Sequence, residues 1–576
     1  MRQMFVTETP TVYMVQFDYS PKLIDVIKRI PTNPRWSVQE KAWVVQKESP
    51  IYLPDKPAKW YMEAYTQWAK RCGLVDEIKW EKDNLDYSST GEMHKFEGDH
   101  YMTLPPYEYQ LEGVQYALEK KRCIFGDQPG LGKTLQAICA IVKAHKEAQK
   151  YGESLPTLVM CPASLKINWQ REFKKFANIE AIILDNDNKT YWHRYIEQTN
   201  AFGEPICSVF ITNYESLRKF FVKERKPGRF TMRSIVFDDR VKLFKSIIID
   251  ESHKCKSSKT QQSKYVEGIC KGKDWVFELT GTPVVNHNGD LIQQLKILGR
   301  LDEFGGYRTF VARYCDGPKM SSRNKELNAL LWQRCFFRRE KQKVLSQLPE
   351  KSRQYIQCDI STRSEYNSAE KDMIAYLRNY KNASENDIMR SLRGEVVVKI
   401  GLLKAISARG KIKAVSEFVH DIIDGGEKFI LFAYLKEVVD ALKKEFPDAV
   451  TVTGSDNVKQ KQEAVDKFQN DPDTKLIILN YKSGGTGLTL TAASRVGFIE
   501  FPWTYADCEQ AEDRAHRNGQ KNNVNCYYFI GDKTIDKYMY NVVKSKESIA
   551  NQVTGTETQI DEDIINITMN LFRDKL

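Results

Sequence analysis

Lys133 and Thr134 close a glycine-rich turn, Gly126-Asp127-Gln128-Pro129-Gly130-Leu131-Gly132, behind the short apolar strand Cys123-Ile124-Phe125. These are the residue types of a phosphate cradle. Gly130 and Gly132 let the backbone approach an anion with no Cβ in the way. Lys133 offers a point charge for β- and γ-phosphates, and the Thr134 hydroxyl suits magnesium. An apolar helix follows, with Leu135, Ile138, Ile141 and Val142 on its buried side. Its start adds free N–H groups and a positive dipole end. Asp127 stands where the strict pattern has glycine. An ordinary glycine-rich turn uses the same residues, so the remaining chemistry has to decide.

That chemistry sits at two further places. The buried run Ser246-Ile247-Ile248-Ile249 emits two carboxylates, Asp250 and Glu251, followed by Ser252-His253. A nucleotidase with a phosphate loop needs such a pair: Asp250 to hold the Thr134-bound magnesium, Glu251 to orient and polarise the attacking water. His253 reads as a hydrogen-bonding relay, because no partner metal ligand is placed beside it. Further on, Gln510, Arg514 and Arg517 lie at i, i+4 and i+7, so one helical face is expected to present all three. Guanidinium groups brought from across a cleft would supply the positive charge that a γ-phosphate needs on its far side. A surface helix with Asp513 paired to Arg517 fits the same spacing.

The elements that must carry these residues are legible in order. Residues 1–73 read as a small mixed α/β unit: a strand over Thr11–Tyr19, a helix begun by Ser20-Pro21, a hairpin over Trp36–Val45 and a helix over Ala58–Cys72 stopped by Gly73. Residues 74–100 turn acidic and read as a linker. Strands alternate with helices over 101–300, which predicts a parallel sheet covered on both faces, with function at the carboxyl ends of its strands. Residues 301–407 read as a helical insertion, 408–535 as a second parallel-sheet domain without its own phosphate loop, and 536–576 as a helical tail.

Composition narrows the class. The chain has 576 residues, 41% of them hydrophobic, and a formal net charge of +11, which points to a polyanionic partner. Twelve cysteines with no C-x-x-C spacing argue against both zinc and a disulfide framework. They fit a reduced intracellular protein, cytoplasmic in a cell without a nucleus and nuclear in one with it. Arg2 and mixed polar residues follow Met1, so no signal segment is expected. No apolar run approaches the roughly 20 residues of a bilayer span.

Taken together, the motifs resemble the SWI/SNF-type ATPases of helicase superfamily 2, over about 101–535. Tyr109-Gln110-Leu111-Glu112-Gly113 resembles the adenine-reading motif, and the family's own phosphate loop has Asp at the place of Asp127. Family members usually carry Glu-Met where this chain has Gln128-Pro129. Cys161-Pro162-Ala163-Ser164-Leu165 with Trp169 and Glu172, Ile211-Thr212-Asn213-Tyr214-Glu215, and Leu279-Thr280-Gly281-Thr282-Pro283 resemble motifs Ia, Ib and III. Arg338-Arg339 through Leu348-Pro349-Glu350-Lys351 resembles the interlobe segment. Ser483-Gly484-Gly485-Thr486-Gly487 resembles motif V, and Gln510 to Gln520 motif VI. Asp250–His253, Phe498–Thr504 and the N-terminal unit are similar to the HARP-containing annealing helicase branch.

The resemblance implies an α/β fold of two RecA-like parallel-sheet lobes with helical insertions and a small N-terminal α+β module, 1–73. It implies ATP and Mg2+ as ligands. Tyr109, Gln110, Asp127, Gly130, Leu131, Gly132, Lys133, Thr134 and Gln510 would line the nucleotide, and Thr134 and Asp250 the metal. Lys133, Asp250, Glu251, Arg514 and Arg517 would carry hydrolysis. Ser164, Thr212, Asn213, Thr282, Ser483, Gly484, Gly485 and Thr486 would grip nucleic acid. The implied activity is that of a DNA-dependent ATPase, a monomeric translocase on double-stranded or branched DNA that remodels or reanneals forks. An ATP-switched DNA clamp, or the motor subunit of a restriction or defence system, is the alternative.

Overall fold

The computed structural model describes residues 2–32, 34–37, 40–47, 56–82, 93–198, 208–281, 288–315, 323–344, 349–378, 393–480, 488–500, 502, 505–517 and 519–541. The N-terminal strands are β1 (Gln3–Glu8), β2 (Val12–Phe17), β3 (Arg35–Ser37), β4 (Ala42–Gln46) and β5 (Glu77–Lys82), in the spatial order β3-β4-β2-β1-β5. Ser20 accepts the Leu23 N–H and Pro21 opens the helix Pro21–Ile27, as the Ser-Pro pair predicts. Leu23, Ile27 and Ile30 close over Val6, Val15 and Tyr65. The boundary expected at residue 73 does not hold. β5, in the stretch read as linker, pairs in parallel with β1 through Ile78 and Trp80, so the acidic composition hid a strand at the edge of the sheet.

The first lobe is a seven-stranded parallel sheet. Its strands are β6 (Arg122–Phe125), β7 (Thr157–Cys161), β8 (Ile182–Ile183), β9 (Val209–Asn213), β12 (Ser246–Asp250), β13 (Trp275–Leu279) and β14 (Phe336–Phe337), with a separate hairpin of β10 (Val222–Arg225) and β11 (Ile235–Phe237). The order is β14-β6-β13-β12-β7-β9-β8. Ile247, Ile248 and Ile249 are fully buried, which is why β12 reads as a continuous apolar run without alternation. The second lobe is β15 (Lys351–Cys358), β16 (Phe429–Phe432), β17 (Val450–Val452), β18 (Leu476–Leu479), β19 (Arg495–Phe498) and β20 (Val524–Gly531), in the order β15-β20-β19-β16-β18-β17 and parallel throughout.

The segment 301–407 is therefore not a free-standing helical insertion. Its residues 336–337 extend the first sheet beside β6, and its residues 351–358 extend the second beside β20. One helix, Arg393–Asp424, crosses the boundary drawn at 407. Asp536, assigned to the tail, is buried in the second lobe against Lys411 at 2.6 Å. The chain is helical over 536–541; the rest of the expected tail lies outside the described residues.

The N-terminal module is clamped to the amino-terminal end of the first sheet. Glu40 meets Arg300 at 2.9 Å and Arg334 at 3.1 Å, and Arg300 also meets Glu303 at 3.0 Å. Ser37 donates to Glu303 at 3.0 Å, and Arg300 reaches back to the carbonyls of Lys120 and Arg122. Burial raises the Glu40 carboxyl, but Arg334 and Arg300 outweigh it and hold it low.

Candidate nucleotide site between the lobes

The loop after β6 takes its shape from two left-handed glycines, Gly130 (φ 90°) and Gly132 (φ 77°). Gly132 caps the helix Lys133–Gln149, and a Cβ there would collide with Gln110. Lys133 lends its ammonium to the Asp127 carbonyl at 2.6 Å, and burial lowers its pKa against the pull of Glu251, Asp127 and Asp250. The Leu131 carbonyl accepts from Tyr109 Oη at 3.2 Å, Gln110 Nε2 at 3.2 Å and Gln136 Nε2 at 3.3 Å. Those bonds fix the orientation of that carbonyl. Gln128 and Pro129, the departure from the family's usual pair, have defined uses: Gln128 Oε1 accepts the Lys341 N–H at 2.8 Å, and the Pro129 ring packs where a Cβ on Gly281 would stand 2.9 Å from it.

Two of the expected nucleotide contacts are supports instead. Asp127 is fully buried; its carboxylate takes Arg339 Nη2 at 2.5 Å, Arg339 N at 2.9 Å and Gln136 Nε2 at 3.0 Å. It ties the loop to the interlobe segment. The Leu131 side chain is fully buried in the same support.

β12 delivers the acid pair to the same place. Asp250 Oδ2 accepts Trp169 Nε1 at 2.8 Å; burial and the adjacent Glu251 push its carboxyl up to about 7. A cation between Asp250 and the Thr134 hydroxyl would reverse that shift. Glu251 sits at φ 55°, ψ 49°, a left-handed conformation that costs a non-glycine residue about 1–3 kcal/mol. The turn aims its side chain across the cleft, where Gln510 Nε2 donates to Glu251 Oε1 at 3.0 Å. On the other oxygen stands His253 Nδ1 at 3.4 Å, itself 3.1 Å from the Thr280 hydroxyl. His253 thus bridges the acid pair to the end of β13.

The second lobe meets this site, but not through one helical face. The helix Tyr505–Glu512 ends before the arginines, and residues 513–515 form turns. At that point its last carboxylates are captured by the interlobe segment. Glu512 is held by Lys351 at 2.9 Å and Arg353 at 2.6 Å, and Asp513 by Lys341 at 2.7 Å and Lys351 at 3.2 Å. Asp513 makes these contacts in place of the alternative pair with Arg517. Arg514 is 5% exposed, and Glu251 and Asp250 oppose the burial and the neighbouring Arg517 that lower its guanidinium pKa to about 10. Arg517 Nη1 donates to the Leu488 carbonyl and to Thr489 Oγ1, each at 2.9 Å. Its Cβ stands 3.2 Å from where a Cβ on Gly130 would be. Arg514 thus lies within electrostatic reach of the acid pair, whereas Arg517 sits beside the phosphate loop with its guanidinium tied to its own lobe.

Residue types alone did not single out the interlobe cations as site residues. Arg338 donates to the Gly281 carbonyl at 2.6 Å, Arg339 holds Asp127, and Lys341 joins the phosphate loop to Asp513. Their only signal was the Arg338-Arg339 segment itself, which carries no catalytic pattern.

The expected nucleic-acid contacts fare unevenly. Ser164 lies in the short helix Ala163–Leu165 just past β7, half-buried. Thr212 is fully buried within β9 and cannot reach a ligand. Asn213 is 8% exposed, donating to Glu215 at 2.7 Å and accepting from Ser216 at 2.8 Å, so it shapes its own turn. Thr282 and Ser483, Gly484, Gly485 and Thr486 lie outside the described residues.

A phosphate loop and acid pair on one parallel-sheet lobe, faced by arginines of another, define the helicase-like ATPases. The SNF2-related domain matches residues 57–400, more than half of the chain, and the helicase conserved C-terminal domain matches residues 410–519. The chain belongs to the SNF2-related family. It is a SWI/SNF-type ATPase of helicase superfamily 2. It is similar to the "SWI/SNF-related matrix-associated actin-dependent regulator of chromatin subfamily A-like protein 1" of Xenopus laevis, 29% identical over 478 residues, which cover 79% of this chain and 44% of that one. It is also similar to the "DNA annealing helicase and endonuclease ZRANB3" of Mus musculus, 30% identical over 470 residues, 78% of this chain and 40% of that one. The chain spans less than half the length of these curated relatives. Among solved structures, the Sulfolobus solfataricus SWI2/SNF2 ATPase core in complex with dsDNA aligns with a TM-score of 0.37 and 22% identity, covering 81% of this chain and 97% of that one. Among the described residues, no helix is long and apolar enough to cross a membrane.

Proposed function

We propose that the chain is an ATP-driven translocase on double-stranded DNA that remodels or reanneals branched and forked substrates. The observation that carries this reading is the 3.0 Å bond between Gln510 of the second lobe and Glu251 of the first. It ties the residue that must position water to the lobe that must move. Lys133 and the amides at the helix start bind the triphosphate, and Tyr109 and Gln110 lie on the adenine side. Thr134 and Asp250 offer a hydroxyl and a carboxylate, a donor pair that fits magnesium completed by phosphate oxygens and water. Magnesium held by them would supply charge neutralisation at the phosphate oxygens. Glu251, steered by Gln510 and His253, accepts a hydrogen bond from the attacking water, which bonds to the γ-phosphorus as the bond to the leaving ADP oxygen breaks. Arg514 and Arg517 stabilise charge on the transferring group only when the lobes are closed.

Cleft opening and closing then shifts one DNA grip relative to the other. Contacts of this kind go to phosphates, so little base specificity and a strong salt dependence follow. The N-terminal unit, through β5, acts as the HARP-like module that recognises branch points; the enzyme works as a monomer in the compartment that holds the DNA. The test compares ATP hydrolysis with single-stranded, duplex and forked DNA, with Lys133→Ala and Glu251→Gln as inactive controls. Duplex stimulation supports the motor, and equal rates with and without DNA favour an ATP-switched clamp.

A further inference from the structure

The hairpin β10–β11 is inserted between β9 and the acid-pair strand β12, and nothing in the nucleotide site uses it. Over residues 222–237 it carries five basic residues, Lys223, Arg225, Lys226, Arg229 and Arg233, against one acidic residue, Glu224. All five are exposed, and none makes an ion pair among the described residues. The carboxylates at its base are already taken: Asp238 pairs with Arg240 at 2.6 Å and Asp239 with Lys242 at 2.6 Å.

The hairpin is anchored. Its strands pair antiparallel from Val222↔Phe237 to Arg225↔Ile235, and Lys226 N donates to the Ser234 carbonyl at 2.8 Å. Phe230, at the tip, lies edge-on to Tyr265 at 6.0 Å between the cations of Arg225 at 5.0 Å and Lys264 at 4.9 Å. At the other end, the Phe237 ring fills the space a Cβ on Gly268 would need. Tyr265 and Gly268 belong to the helix Gln261–Cys270, the crossover between the parallel strands β12 and β13. A crossover helix runs back against its strands, so its start lies at their carboxyl ends. The tip beside Tyr265 therefore packs at mid-helix, about one turn from the end of the sheet that carries Glu251 and the exposed Lys254 and Lys259. Beside the hairpin opens a groove of 460 Å³ whose lining includes Lys189, Arg218, Lys219, Lys223 and Arg225, with Glu215 and Glu224.

From this placement we infer that the hairpin and its groove form an outlying contact for the phosphate backbone of duplex DNA, extending the nucleic-acid surface beyond the interlobe cleft. The inference rests on the translocase reading above. Lys223 has Asp238 and Asp239 nearby, but the other four cations of this fixed arm have no carboxylate partner among the described residues, and a polyanion beside them lowers their mutual repulsion.

The test uses the full chain with Lys226→Ala, Arg229→Ala and Arg233→Ala combined, residues whose side chains anchor nothing. Duplex affinity is titrated over a range of salt concentrations. Each lost phosphate contact lowers the slope of log affinity against log salt by about 0.9, so the triple variant is expected to lose about 2–3 from the slope and at least about tenfold in affinity at low salt. Hydrolysis without DNA and the maximal rate at saturating DNA stay at wild-type values. Exchanging the charges in kind, Lys226→Arg with Arg229→Lys and Arg233→Lys, restores the slope. An unchanged slope and affinity in the alanine variant overturns the inference. Duplex stimulation of the wild-type ATPase tests the motor reading separately, so the two can fail independently.

Discussion

Glu251 shows how much chemistry one backbone angle can place. Its left-handed φ turns a carboxylate that would otherwise face along β12 into the cleft, between Gln510 and His253. Replacing it by glutamine is expected to lower kcat by about 10²–10⁴ while leaving nucleotide affinity near wild type, read by steady-state hydrolysis beside fluorescent-nucleotide binding. Gln510→Ala removes the bond from the second lobe and leaves the acid steered by His253 alone. Its kcat is expected to fall by about ten- to a hundredfold with DNA affinity unchanged. Equal kcat in wild type and Gln510→Ala would show that the interlobe bond is incidental. The roles of Lys133, Asp250 and Glu251 were readable from residue type, because a lysine behind glycines and an acid pair after an apolar run leave few other uses. The support role of Asp127 was not: only the neighbouring strand β14 shows that Arg339 occupies it.

At the scale of elements, the interlobe segment matters most. Running beside β6 and then beside β20, it presents Arg339 to Asp127 of the first lobe, and Lys341, Lys351 and Arg353 to the Glu512-Asp513 pair of the second. Arg339→Ala leaves Asp127 buried without its cation. The expected loss is about 3–5 kcal/mol of unfolding free energy, measured by denaturant titration. Glu512 and Asp513 are each held down at about 2, where the lysines and Arg353 overcome the cost of burial. A carboxyl lowered in the folded state contributes stability that is full above its unfolded pKa and lost as pH falls through the folded one. The second lobe should therefore lose stability between about pH 5 and pH 2, by roughly 1.4 kcal/mol for each pH unit that separates a carboxyl's folded and unfolded titrations. Lys351→Met should flatten that acid transition in unfolding followed from pH 5 to pH 2. Most strands of both lobes were visible as buried apolar runs. β8, β14 and β15 of the lobes were not, nor was β5 of the N-terminal sheet: two-residue strands carry no periodicity, and the alternation of Ile78 and Trp80 in β5 was masked by the acidic stretch around it. The helix expected to present Gln510, Arg514 and Arg517 together ended early, because contacts distant in sequence outweighed local spacing.

Across the whole molecule, the N-terminal module is fastened to the first lobe far from the nucleotide, and the second lobe is fastened to it through the site itself. Glu40 makes the first joint. Glu40→Ala leaves Arg300 and Arg334 facing one another without it, and hydrogen exchange is expected to show β3 and β4 losing protection while β12 keeps its own. The second joint runs through Gln510, Lys341 and the exposed pair of Arg171 with Asp466 at 3.0 Å. The central claim is that the two lobes share one triphosphate. Single-turnover ATP hydrolysis on duplex DNA, with Arg514→Ala and Arg517→Ala tested against wild type, measures this most directly. Shared chemistry predicts that both variants still bind ATP but hydrolyse it about 10³-fold more slowly or worse. Wild-type hydrolysis rates in both variants would contradict it.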